Sequence, residues 1–237
     1  MKIIIYDNEP QKETILVSAD TIYFQKYFPS LCFSISKLKN KNLHLHIINP
    51  RENDFQDYEK LKNQFHSQSD SFCSMSYEKT KIENFKQNIK TYYACNRFLI
   101  IKDFNIKKCL IVDIDSIFLN NFEYPKEDIG LFFREEFKDN FKLNISAGIF
   151  YFSEEAKDFI DYNYAILSTI NKSGWWWFMD QFSLFMAYER YKDKLNFYTF
   201  NKNFMNFDNT AELIMYSAKG TNKESEDYKK LMQKYSF

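Results

Sequence analysis

The sequence predicts an α/β sandwich with a mostly parallel central sheet. Three observations carry this. Short apolar or alternating segments recur between stretches of helical periodicity, the order that helical crossovers between parallel strands require. Hydrophobic residues make up 45% of the 237-residue chain, enough to fill one sizeable core. Two of the strand-like segments end in aspartates, one at Asp20 and one at the pair Asp113 and Asp115. Open α/β sheets hold their ligands outside such strand ends.

The elements follow in order. KETILVSAD reads as a strand that runs into a turn at Asp20. In PSLCFSISKLKN, Leu31, Ile35 and Leu38 fall at helical spacing, and Pro29 suits a helix start. NLHLHIINP alternates and is a strand stopped by Pro50, while DSFCSMSYE is a weaker strand. From about Asn84 to Lys102 the pattern is helical, with Phe85, Ile89, Tyr92, Tyr93, Asn96 and Ile100 near one face. KCLIVDID is a buried strand, DIGLFFRE and SAGIFYFS are strands, and EEAKDFIDYNYAILSTI is a helix. FMDQFSLFMAYERYKD is another helix, with Phe178, Phe182 and Phe185 along it, and LNFYTF and ELIMYS are short strands. Neither an internal repeat nor a low-complexity linker divides the chain, so residues 1–237 are expected to form a single domain.

Lys+Arg and Asp+Glu are both 32. Zero net charge gives no general pull toward nucleic acid or an anionic membrane. The apolar stretch in MKIIIYDNEP is too short for a signal peptide, and no run of about 18 apolar residues marks a membrane span. The four cysteines are scattered without C-x-x-C spacing and read as reduced, mostly buried thiols. A cytoplasmic protein is expected, with peripheral contact at the inner face of the membrane compatible.

Carboxylates at the end of an apolar strand need a reason, because burying charge is costly. In an extended chain residues i and i+2 point to one side, so Asp113 and Asp115 can face one ligand. Two like charges so close ask for a counter-ion. A hard Mg²⁺ or Mn²⁺ would serve and would carry a diphosphate. The bland alternative, favoured for a lone D-x-D, is one aspartate capping a turn and the other solvated. A strand ending in D-x-D also resembles the haloacid-dehalogenase-like phosphatases, with Asp113 as nucleophile and Asp115 as general acid. Their downstream acidic loop finds no match beyond KDFID at Lys157–Asp161, which reads as a helix surface.

Five motifs in order weigh differently: ILVSADTIYFQKYFPSLCFSI, TYYACNRFLIIKDF with KKCLIVDIDSIFLNNF, NISAGIFYF, WWWFMDQFSL and YSAKGTNK. From about Thr14 to about Lys223 the sequence resembles the family 8 glycosyltransferases and, more broadly, the GT-A nucleotide-sugar transferases. Each motif is short; the five in sequence and spacing are specific. The resemblance implies a GT-A type, Rossmann-like α/β/α sandwich and a metal-dependent retaining transfer of a hexose-type sugar. The partners would be a nucleotide-sugar donor, UDP-linked, and a glycan acceptor, with surface polysaccharide assembly as the setting and Mn²⁺ or Mg²⁺ as cofactor. A GT-A module that binds nucleotide-sugar or glycan without turnover is a third reading.

By the same resemblance Ala19 and Asp20 meet the nucleobase and Tyr23 stacks on it or lies nearby; the alternative is a strand-end turn. Arg97 contacts donor sugar or diphosphate, or else forms a structural ion pair with Asp113 or Asp115, either way near the site. Asn144, Ser146, Ala147 and Gly148 enter a strand where donor-sugar hydroxyls bind. Asp180 meets sugar hydroxyls and Gln181 neighbours the anomeric carbon; the alternative for Asp180 is a helix cap. Trp175 and Trp176 line an acceptor groove, with core packing the fate of at least one tryptophan of the run Trp175–Trp177. His44 and His46 share a strand face without an evident third ligand, so packing or solvent is the expectation. Lys223 meets the diphosphate, whereas Lys219 reads as a solvated loop residue. The family's histidine ligand is missing: Ser217 stands near its place, and no histidine follows His66.

Overall fold

The computed structural model describes residues 2–81, 89–173, 176–206, 212–218 and 220–237. The chain opens with β1 (Ile3–Ile5), β2 (Glu13–Asp20), α1 (Thr21–Ser36), β3 (Leu43–Ile48), α2 (Glu52–His66), β4 (Cys73–Glu78) and α3 (Ile89–Leu99). It continues through β5 (Lys108–Val112), β6 (Ser116–Phe118), β7 (Ile129–Phe133), β8 (Ile145–Ser153), α4 (Lys157–Ser173) and α5 (Met179–Tyr191). It closes with β9 (Phe197–Thr199), β10 (Met205–Asn206), β11 (Met215–Ser217) and α6 (Glu226–Lys234).

Eight strands form one sheet in the order β1-β4-β3-β2-β5-β8-β7-β9. Four of its seven pairings are parallel: β4 with β3, β3 with β2, β2 with β5, and β7 with β9. β8 runs antiparallel to both β5 and β7, and β1 antiparallel to β4. A second sheet, β10-β11-β6, sits beside it. The central strands read as unbroken apolar runs because both faces are covered. Along β2, Ile15 and Val17 enter one core and Leu16 the other; along β5, Leu110 and Val112 oppose Cys109 and Ile111 in the same way. The first core gathers α1 and α6, the second α3, α4 and α5. All four cysteines are free and buried.

Several details depart from the sequence reading. Pro29 lies inside α1 rather than at its start. The helix begins at Thr21 because the Asp20 carboxylate caps it, accepting from the Tyr23 amide at 2.8 Å. α2, which sequence reasoning passed over, carries buried Tyr58 and Phe65 in a mostly charged segment. The carboxylate of Asp54 accepts from the Arg51 amide at 2.7 Å at its first turn. α3 spans Ile89–Leu99 and passes into a 3-10 turn at Ile100–Asp103, while Phe85 lies outside the described residues.

The pairings fix where a ligand can sit. Since β8 opposes both β5 and β7, strands β2, β3, β4, β5, β7 and β9 share one direction. One edge of the sheet therefore collects Asp20, Glu78, the segment after Val112, the β7–β8 connection and the start of β8. The register of β7 with β8 shifts between Leu131 and Phe132: Leu131 faces Phe150 and Phe132 faces Ser146. Residues 147–149 thus form a bulge at that edge, a feature that re-aims backbone groups beside functional sites.

Candidate active site

β5 stops at Val112, and Asp113–Asp115 form a turn, with the Ser116 amide donating to the Asp113 carbonyl at 3.1 Å. The two aspartates thus converge through a turn and not through the extended i, i+2 geometry expected. Arg97, near the end of α3, is buried. One guanidinium nitrogen donates to the Asp113 carboxylate; another donates to the Ala147 carbonyl at 2.8 Å and to Asp180 at 3.5 Å. The bulge supplies that carbonyl. One side chain therefore ties together α3, the turn after β5, β8 and α5. Burial opposes its charge, but Asp113 and Asp180 outweigh it and hold Arg97 firmly protonated.

Asp115 is buried, and its carboxylate pairs with the Lys223 ammonium; its carbonyl accepts from the Tyr228 hydroxyl at 2.7 Å. Burial and then the charge of Asp113 push Asp115 up to about 6, against the pull of Lys223 and Arg97. Lys223 is raised above its ordinary range because Asp115 overrides the cost of burial. Its ammonium also lies 5.0 Å from the Tyr23 ring centre and 5.6 Å from that of Tyr27. Three carboxylates, Asp113, Asp115 and Asp180, thus meet two cations.

Five buried polar atoms here have no hydrogen-bond partner among the described residues: Arg97 Nε, Asp115 Oδ1, Ser116 Oγ, Gln181 Oε1 and Ser217 Oγ. Leaving such atoms unpaired costs about 1–3 kcal/mol each, so each calls for a partner, whether water or a bound ligand. Ser217 stands opposite Ser116, the residue after Asp115, in the β11–β6 ladder. The oxygen donors of Asp113, Asp115 and Ser217 suit a hard divalent cation. They are few: among the described residues no cluster of three or more His, Cys, Asp or Glu has a metal-binding arrangement. These residues fit Mg²⁺ or Mn²⁺ as an incomplete cage that needs oxygens from a bound ligand.

Other predicted residues take clear places. Ala19 is buried at the end of β2, so its backbone is what can face a ligand; Asp20 is the α1 cap, and Tyr23 is exposed beside Lys223. Asn144 is half-buried, donates to the Lys138 carbonyl at 3.3 Å and so supports its own loop. Ser146 is buried, its hydroxyl accepting from the Gly148 amide at 3.3 Å. Asp180 is buried in the first turn of α5, where Oδ1 accepts from the Gln181 amide at 2.9 Å while Oδ2 meets Arg97. It thus binds a first-turn amide of α5 and the Arg97 guanidinium at once, although the N-cap of α5 is Phe178. Trp176 is half-buried, 5.5 Å from Phe182 between ring centres. Trp175 and Lys219 lie outside the described residues.

His44 and His46 are both fully buried. Both ring nitrogens of His44 bond to Ser74 and Ser76 at 2.8 Å, and His46 bonds to Ser76 at 2.9 Å. They belong to a buried network through Glu78, Tyr92 and Asn96 that ends at Ser18, beside Ala19. Sequence reasoning missed this network and missed Tyr228. The signal for Tyr228 was present: Ser225 caps α6, and Tyr228 and Leu231 follow at helical spacing.

No protein-family model matches the sequence, and no curated protein matches it. Solved structures do match its fold. The galactosyltransferase LgtC, in complex with donor and acceptor sugar analogs, aligns at a TM-score of 0.61 and 11% identity, over 93% of this chain and 95% of that one. The bifunctional glycosyltransferase WbbM aligns at 0.64 and 13% identity, over 97% of this chain and 50% of that one. The glycosyltransferase GlyE of Streptococcus pneumoniae TIGR4 aligns at 0.60 and 11%, over 95% of this chain and 61% of that one. The chain thus spans half of the WbbM chain and nearly all of LgtC. At such identities the likeness concerns the fold, and the fold is that of these GT-A glycosyltransferases.

Proposed function

We propose that the chain is a metal-dependent retaining glycosyltransferase that moves a hexose-type sugar from a UDP-linked donor to a glycan acceptor. The observation that carries this reading is the ion cluster itself: Arg97 bridging Asp113 and Asp180, with Lys223 on Asp115, at the ligand edge of a GT-A sheet. The backbone of Ala19, Asp20 and the exposed ring of Tyr23 receive the nucleobase. Lys223 meets the diphosphate through a charge-assisted contact. Arg97 keeps Asp113 and Asp180 in one orientation, so that Asp180 presents its carboxylate to donor-sugar hydroxyls. Gln181, whose side-chain oxygen is buried without a partner, stands beside the anomeric carbon. Asn144 and Ser146 border the sugar, and Trp175 and Trp176 the acceptor. A divalent cation held by Asp113 and Asp115 would supply Lewis-acid neutralisation of the leaving diphosphate. Rate acceleration then rests on holding the anomeric carbon against an acceptor hydroxyl. Among the described residues no helix is long and apolar enough to cross a membrane; a cytoplasmic site of action in surface polysaccharide assembly, at the inner membrane face, is part of the proposal.

The test is release of UDP from UDP-hexoses, with and without Mn²⁺ and glycans. Asp180→Asn is expected to lower kcat by about a hundredfold or more while the donor dissociation constant changes far less. An unchanged kcat with a raised Michaelis constant would overturn that role. Phosphomonoester hydrolysis without any stabilisation by UDP would replace the transferase by a phosphatase, and UDP-sugar binding without turnover by a binding module.

A further inference from the structure

Eight large hydrophobic side chains are exposed among the described residues, and five of them surround the ligand edge: Ile22, Tyr23, Phe141, Trp177 and Phe178. Three of these five, Phe141, Trp177 and Phe178, come from two segments that brace each other. Phe141, in the β7–β8 connection, packs 5.9 Å from Phe182 and 6.3 Å from Phe185 of α5 between ring centres. Lys142 lays its ammonium 4.9 Å from the Trp176 ring and 5.7 Å from that of Phe141. On this support Trp177 is 53% exposed and Phe178 36%, their rings 5.7 Å apart.

Phe178 has φ 73° and ψ 16°, in the left-handed region. Among the described residues the other non-glycine residues with positive φ are Asn40 and Asn49, and asparagine tolerates this region, whereas a bulky aromatic side chain does so rarely. Strain of this kind persists where the surroundings impose it, and it gathers at functional sites. Here it turns the chain so that two things happen together. α5 starts with Asp180 directed at Arg97, and the two aromatic rings just before it face solvent.

We propose that Trp177 and Phe178, flanked by Phe141, are the platform on which a sugar ring of the acceptor glycan stacks, and that Trp177 determines acceptor affinity. This rests on the transferase reading, since it names the second substrate of the same site. The chemistry is that of a C–H face of a pyranose on an aromatic ring, with Asp180 two residues beyond Phe178. A membrane surface is the weaker occupant. The chain has zero net charge, and Lys142, the cation adjoining the platform, is turned onto aromatic rings.

The test uses the full chain, a printed oligosaccharide array, lactose in solution and a UDP-hexose donor. Trp177→Ala is expected to raise the acceptor Michaelis constant about tenfold more than the donor constant and to dim the array in proportion, with Trp177→Phe recovering most of both. Phe178→Gly, which accepts the positive φ without strain, separates the ring from the backbone turn: acceptor affinity should fall while thermal stability holds. If the array loses its signal in Trp177→Ala and no glycan is ever glycosylated, the platform stands and the transferase reading falls. If the wild-type chain binds no glycan, or Trp177→Ala leaves acceptor affinity unchanged, the platform is overturned. Loss of sedimentation with phosphatidylglycerol vesicles in Trp177→Ala, with acceptor use intact, would assign the rings to a membrane instead.

Discussion

Replacing Lys223 by methionine should move two affinities in opposite directions. Methionine keeps an unbranched apolar stem against Tyr23 and Tyr27 and removes the charge. In the ligand-free protein the ammonium is the direct ion partner of Asp115, a carboxylate only 4% exposed, while the lysine itself is 21% exposed. A divalent cation entering at Asp115 must displace it. A charge-assisted hydrogen bond of this kind contributes about 1.5–3 kcal/mol. Removing the competitor should therefore tighten Mn²⁺ binding to the UDP-free protein by about tenfold to a hundredfold. UDP loses a cation that would meet its diphosphate, so its affinity in saturating Mn²⁺ should fall by a similar factor. Calorimetric titration of Mn²⁺ alone, then of UDP with Mn²⁺ present, reads both. For the wild-type chain the same titrations should show feeble Mn²⁺ binding that UDP strengthens, as an incomplete cage requires. The reasoning fails if Lys223→Met binds Mn²⁺ no more tightly than wild type. It fails equally if the wild-type chain binds Mn²⁺ tightly without UDP, since another residue would then complete the shell.

Asp115→Ala should abolish Mn²⁺-dependent UDP binding with the fold retained by circular dichroism. Because the folded carboxyl sits at about 6 against an ordinary value of 3.8, the native state holds the proton longer than the unfolded chain. Wild-type stability relative to Asp115→Ala should therefore fall by about 2–3 kcal/mol as pH rises from 4 to 6; a gap that stays constant by urea unfolding would refute this. His44 works with the opposite sign: burial and then the nearby His46 lower it from 6.5 to about 3. The unfolded chain takes up its proton first, so stability present above pH 6.5 is lost as pH falls toward 3, by about 3 kcal/mol at pH 4. His44→Gln should flatten that acid limb, and an equally steep loss in the variant would place the sensitivity elsewhere.

Most of the sheet was legible because its strands are short apolar runs bounded by turn residues, and burial on both faces makes such runs continuous. α2 was not, since only Tyr58 and Phe65 are fully buried among its apolar residues in a stretch of Glu, Asp, Lys and Asn. The start of α1 was misjudged by trusting a proline over a cap. Asp20 ends β2 and caps α1 with one carboxylate, and that short-range bond outweighs the preference of Pro29 for a first turn. The reversed course of β8 between β5 and β7 leaves no trace in residue patterns, because strand direction is set by connections and not by hydrophobic alternation. The bulge at residues 147–149 was hinted at by the glycine of SAG, but its use, a carbonyl offered to Arg97, required the register.

At the site, residue types were legible and their partners were not. Of the two readings of Arg97, the structure displays the ion pair with Asp113, yet its second carboxylate, Asp180, lies 83 residues away in sequence, beyond any local pattern. Also readable was that no histidine follows His66, with Ser217 standing where the resemblance places a metal-binding histidine. An imidazole is neutral when it binds a metal and does not repel it; Ser217 keeps that neutrality but is a poorer donor. Whichever neutral donor stands at 217, Asp115 would carry an uncompensated buried charge were Lys223 not paired with it. On the proposed function the carboxylate, neutralised by Lys223, would be released to a cation when a diphosphate draws the lysine away. Such a site would discriminate against free metal, because the cation and the nucleotide would each lower the other's cost of binding.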